Sequence, residues 1–141
     1  MPECEFPKQN AAPDDIAALL KSAKTIAVVG LSPKPERPSY SVSAYMQGHG
    51  YRIIPVNPGQ KEILGEKVYA TLAEVPEAVD IVNIFRDPAA VPEIVDQAIA
   101  KKAKAIWMQL GIVHNESAEK ARAAGLIVIM NKCIAVEHQR L

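Results

Sequence analysis

Short, wholly apolar runs alternate along the chain with longer segments whose apolar residues recur at helical spacing. Thr25-Ile26-Ala27-Val28-Val29-Gly30 is a continuous apolar run closed by glycine, the pattern of a strand covered on both faces. Arg52–Val56 is a second run, halted at Asn57-Pro58-Gly59, where proline fixes φ and glycine accepts positive φ. A short edge strand is expected around Lys67, Val68 and Tyr69, and further strands at 80–85, 105–110 and 126–130.

Helical patterns fill the intervals. In residues 13–24, Asp14 and Asp15 suit a positively charged helix start, and Ile16, Leu19 and Leu20 form one apolar face. Ser39 is expected to cap a helix that turns Val42, Tyr45 and Met46 inward and stops at Gly48 and Gly50. Thr71 and Glu74 have capping-box spacing. Asp87-Pro88 reads as the cap of a helix carrying Val91, Ile94, Val95, Ala98 and Ile99, and Asn115 as the cap of one ending at Gly125. Buried strands alternating with helices predict an α/β fold: a single Rossmann-like, doubly wound parallel sheet of order 3-2-1-4-5-6 with a short third strand. Right-handed crossovers place helices on both faces, and that strand order puts the switch point between the first strand and the 80–85 strand, with ligands bound beyond the carboxyl ends there.

A length of 141 residues is room for one domain, here an N-terminal arm at 1–12 and a domain at 13–141. Hydrophobic residues are 49% and charged residues 23%, so a core is affordable, while 16 basic against 16 acidic residues supply no global field for nucleic acid or membrane. Any anion site must therefore be local. The two cysteines, Cys4 and Cys133, form neither a disulfide framework nor a zinc spacing, and no export signal or membrane span is indicated; a reducing cytoplasm is expected.

The loop from Gly30 to Tyr40 lies between a strand and a helix, where backbone N–H groups and the helix dipole favour phosphate. Gly30, Ser32, Lys34, Arg37 and Ser39 are its candidate ligands. It holds one glycine instead of G-x-G-x-x-G, and the second strand ends in Asn57 instead of an acid, which disfavours a standard NAD site. Across the switch point, Phe85 and Asp87 have structural duties as core and cap, whereas Arg86 has none. Gln109 offers an amide beside Gly111, and Cys133 follows the sixth strand. His49, His114 and His138 lack metal-ligand spacing and are expected at the surface.

Six motifs in order, at 25–35, 37–40, 50–58, 80–86, 107–111 and 130–133, together resemble the small stand-alone CoA-binding proteins, and through them the N-terminal CoA-binding domain of the succinyl-CoA synthetase alpha subunit. The resemblance covers about residues 15–141. It implies that Gly30, Ser32, Lys34 and Arg37 bind phosphates, that Pro55, Val56 and Asn57 line the adenosine side, and that Phe85 and Arg86 close the pocket. It places Gln109, Gly111 and Cys133 near the pantetheine path, with Asn131 where many relatives carry Asp. The synthetase's second domain, with its phosphorylatable histidine, has no counterpart in these residues. The implied function is reversible binding of coenzyme A or a short acyl-CoA without catalysis by this chain alone. The alternatives are an NAD(P)-binding enzyme or redox sensor, a CoA-site subunit acting with an acyl-CoA ligase in trans, and a Cys133 mixed disulfide with the CoA thiol. A protein partner or homodimer is compatible with each.

Overall fold

The computed structural model describes residues 6–141, so Cys4 lies outside the described residues. Its strands are β1 (Thr25–Val29), β2 (Arg52–Val56), β3 (Glu62–Ile63), β4 (Glu66–Lys67), β5 (Ile81–Ile84), β6 (Ala105–Met108) and β7 (Ile127–Ile129). Its helices are α1 (Pro13–Ser22), α2 (Pro38–Gly48), α3 (Val91–Ala100), α4 (Asn115–Ala123) and α5 (Ile134–Gln139), with 3₁₀ turns at Leu72–Glu74 and Pro88–Ala90.

Five strands make a parallel sheet in the order β2-β1-β5-β6-β7. Side chains alternate across it, because consecutive Cβ atoms point to opposite faces. Val29, Ile84 and Met108 pack with Val95 and Ala118 under α3 and α4. Val28, Ile81 and Trp107 pack with Leu20, Met46 and Ile134 under α1, α2 and α5. Residues such as Ile26, Ile81 and Ile106 are wholly buried, each contributing roughly 1.5–3 kcal/mol through burial. The sheet reverses its winding between β1 and β5, where the apolar runs place the switch point.

Asp80 gathers the lower ends of three strands. Its carboxylate accepts from the N–H groups of Lys24 (2.8 Å) and Thr25 (3.2 Å) and pairs with the Lys104 ammonium at 3.3 Å. Burial alone would raise its pKa, but these donors outweigh it and hold the carboxyl below the ordinary range.

Several local expectations change. The third strand is a single parallel bridge, Tyr69 to Val56, because Glu66–Lys67 pairs backwards with Glu62–Ile63 in a hairpin turned by Leu64 and Gly65, both at positive φ. β6 stops at Met108, since Gln109 turns inward. Ser39 is buried inside α2 instead of capping it; Arg37 is the N-cap, without a side-chain bond. Neither Thr71 nor Asp87 caps through its side chain, and both open short 3₁₀ turns. His114, not Asn115, caps α4, its Nδ1 accepting from the Ser117 N–H at 3.2 Å.

Asn115 is engaged elsewhere, by the chain's beginning. It accepts from the Lys8 N–H and donates to the Phe6 carbonyl. The Asn10 amide then pairs with both the N–H and the carbonyl of Met130, at 3.0 and 2.9 Å. It pairs Met130, the residue that follows β7, as a neighbouring strand would.

Candidate functional site

Two clefts open at the carboxyl edge of the sheet, on either side of the β1 and β5 ends. The first, about 420 Å³, is lined by Gly30, Ser32, Lys34, Arg37, Pro38, Ser39 and Phe85. The second, about 280 Å³, is walled by Val29, Val56, Pro58, Thr71, Leu72, Arg86, Glu93 and Ile94, among others. Consecutive residues, Val29 with Gly30 and Phe85 with Arg86, line different clefts, as strand alternation requires. The clefts therefore flank a ridge made by the ends of β1 and β5.

Gly30 sits on that ridge with φ +90°, and a β-carbon there would run into the Phe85 carbonyl oxygen and lie 2.8 Å from Arg86 Cδ. Its N–H donates to the Val56 carbonyl. Packing alone thus requires a glycine at this position.

The loop that follows is ordered by its own hydroxyls. Ser39 Oγ accepts from the Ser32 N–H at 3.0 Å, and Ser32 Oγ accepts from the Lys34 N–H at 3.1 Å. Asn57 donates from Nδ2 to the Leu31 carbonyl at 2.8 Å, tying the loop to the end of β2. Lys34 and Arg37 are exposed and form no ion pair among the described residues, and the first cleft's lining contains no carboxylate. α2 begins there, directing its positive dipole end at the same space, with Pro38 contributing its preset φ. Hydroxyl groups, a helix start and two cations suit an anion of phosphate chemistry.

The structure gathers the expected residues unevenly. Gly30, Ser32, Lys34, Arg37, Ser39 and Phe85 share the first cleft, and Val56 and Arg86 face the second. Pro55 is buried in β2, where its carbonyl accepts from the Tyr69 N–H. Gln109, Gly111 and Cys133 lie further along the same edge and line neither cleft. Gln109 is 3% exposed and donates to Asn83 Oδ1 at 2.7 Å. Gly111 donates its N–H to Asn131 Oδ1 at 2.7 Å, joining the turns after β6 and β7. Cys133 is a half-buried N-cap of α5.

Two features escaped the motif reading. Asn83 is a buried polar residue in the middle of β5, signalled only by its being the one polar position in an apolar run. The second cleft joins Thr71 to Glu93 and Gln97 of α3, two segments that share no motif. Two histidines also meet: His49 and His138 have ring centroids 4.8 Å apart, and Tyr45 Oη bonds His138 Nδ1 at 2.9 Å. His138 is therefore half-buried instead of freely exposed.

Comparison with known proteins adds to this geometry. A family model described as a CoA binding domain matches residues 24–139. YneT of Bacillus subtilis (strain 168), described as uncharacterized, is 42% identical over 130 residues, which are 92% of this chain and 96% of that protein. The alpha subunit of ADP-forming acetate–CoA ligase I from Pyrococcus furiosus is 33% identical over 93 residues, 62% of this chain. The match spans only 20% of that subunit. Among solved structures, a hypothetical protein from Pyrococcus horikoshii OT3 superposes with a TM-score of 0.91 at 41% identity, covering 100% of this chain and 99% of its own. A protein from Thermus thermophilus gives 0.88 at 38% identity, covering 92% and 98%.

Proposed function

The chain belongs to the CoA binding domain family, and from that premise we propose that it reversibly binds coenzyme A or a short acyl-CoA without making or breaking bonds on its own. One observation carries the reading: Lys34, Arg37 and the start of α2 converge, without a facing carboxylate, on a cleft at the switch point of the sheet. Unpaired cations on a pre-ordered loop suit the pyrophosphate. The second cleft, with apolar Val29, Val56, Leu72 and Ile94 and polar Thr71 and Gln97, suits the adenosine. Ser32, Ser39 and Gly30 complete the phosphate loop, Pro55 and Asn57 support the adenosine wall, and Phe85 closes the near side. Gln109, Gly111 and Cys133 lie along the continuation of the edge, where a pantetheine arm would run.

The similarity to an acetate–CoA ligase subunit supports a second form of the same reading, in which this chain supplies the CoA site to a ligase-like partner. A cytoplasmic setting fits both forms. Calorimetric titration of CoA into Lys34→Ala and Arg37→Ala tests the loop's role. Each variant is expected to bind roughly 10- to 100-fold more weakly, the worth of one charge-assisted contact. Wild-type affinity in both variants would remove the phosphates from this loop.

A further inference from the structure

We propose that His49 and His138 together hold a divalent ion of the late first transition row, zinc being the representative case, and that the ion fastens the end of α2 to α5. His49 is the C-cap of α2 and His138 lies in the last turn of α5, so only the fold brings the two imidazoles together, with ring centroids 4.8 Å apart. The pair stands at the opposite end of α2 from the phosphate-binding loop, and the inference is independent of the CoA reading.

The separation fits shared coordination. A zinc–nitrogen bond is about 2.0–2.1 Å and the donor nitrogen lies roughly 1.2 Å from its ring centroid, so each centroid stands about 3.2 Å from a bound ion. Centroids 4.8 Å apart then subtend roughly 100° at the ion, just inside the tetrahedral angle that zinc adopts. The rings are tilted by 55° instead of lying flat on each other.

The nitrogens are also available. Tyr45 Oη bonds His138 Nδ1 at 2.9 Å. When Nδ1–H is the donor, Nε2 carries the lone pair, which is how an outer oxygen fixes the tautomer and orientation of a metal-binding histidine. Burial favours the neutral, ligating form of His138. His49 is exposed, and among the described residues its ring nitrogens make no hydrogen bond and no ion pair. No third His, Cys, Asp or Glu completes a cluster among the described residues, so water fills the other positions and the ion is exchangeable. Two imidazoles without a carboxylate select zinc, copper or nickel over magnesium or calcium.

The test is calorimetric titration of the intact protein, kept reduced with a phosphine, with zinc chloride and with magnesium chloride, followed by thermal melts with and without zinc. Wild type is expected to bind one zinc per chain saturably and no magnesium, and zinc is expected to raise the melting temperature. His49→Gln and His138→Gln each remove the zinc response, while Tyr45→Phe weakens binding by roughly 10- to 100-fold, as loss of an outer hydrogen bond does. His114→Gln and Cys133→Ser bind as wild type. Because His49 is exposed, the zinc-free melt of His49→Gln is expected to match wild type, which separates a lost ligand from a lost fold. Absence of saturable zinc binding, wild-type affinity in either His49→Gln or His138→Gln, or loss of binding in Cys133→Ser or His114→Gln would each overturn the assignment.

Discussion

Gly30 and Gly111 both hold positive φ, +90° and +82°, but their surroundings differ. A β-carbon at Gly30 meets main chain of Phe85 and the stem of Arg86; at Gly111 it meets nothing within 4 Å. Gly30→Ala combines left-handed strain with overpacking and is expected to cost about 2–4 kcal/mol, whereas Gly111→Ala carries the strain alone, about 1–2 kcal/mol. Urea denaturation of the two variants measures the difference; equal losses would show that the ridge yields to the added methyl. At this scale the chain is only partly legible. The glycine ending β1 is visible in the sequence, but the phosphate-loop pattern does not reveal that Phe85, 55 residues on, already requires it. Asn57 is similar: it reads as turn chemistry and proves to hold the Leu31 carbonyl.

Elements are joined by polar devices that local patterns do not show. Asn115 has the composition of a cap and sits beside the true cap, His114, because the N-terminal arm claims its amide across more than a hundred residues. Loss of the Asn10 amide should leave the Met130 N–H and carbonyl without partners. Asn10→Ala is therefore expected to cost about 1–3 kcal/mol, read as a lower denaturation midpoint with an unchanged slope. An unchanged midpoint would mean that the Asn10 pairing with Met130 contributes nothing to stability.

A second device joins α5 to α2. His138 bonds Tyr45 and meets Tyr51 edge-on at 5.6 Å, with His49 as the second imidazole against it. Burial, and then the charge of His49, push the His138 pKa down. The folded state thus disfavours the proton. Its stabilising contribution is full at neutral pH and is lost as the pH falls through the ordinary imidazole value of about 6.5 toward the lowered one. Thermal melts between about pH 7.5 and 5 should show a slope that His138→Gln reduces; parallel curves for wild type and variant would exclude this clasp as its source.

At the scale of the whole molecule, the fold is the most legible level. Five apolar runs become the five parallel strands because a strand buried on both faces must be apolar throughout, and their helical intervals leave only a doubly wound arrangement. The exception is the expected third strand, where residues near Lys67 pair locally in a hairpin and leave Tyr69 a single bridge. A hairpin closes a short loop and competes well with a longer-range parallel pairing. The candidate site is legible only in its first half. The loop from Gly30 to Ser39 is continuous in sequence, so its residues could be read together, whereas the second cleft is assembled from four separated segments by the fold.

The central claim is that the switch-point clefts are built for CoA. Titration calorimetry of the intact protein under reducing conditions, against CoA, acetyl-CoA, NAD and NADP in matched buffer and salt, addresses it most directly. The account predicts saturable binding of CoA in the micromolar range, with much weaker binding of NAD and NADP. Absence of CoA binding, or a preference for either dinucleotide, would contradict it.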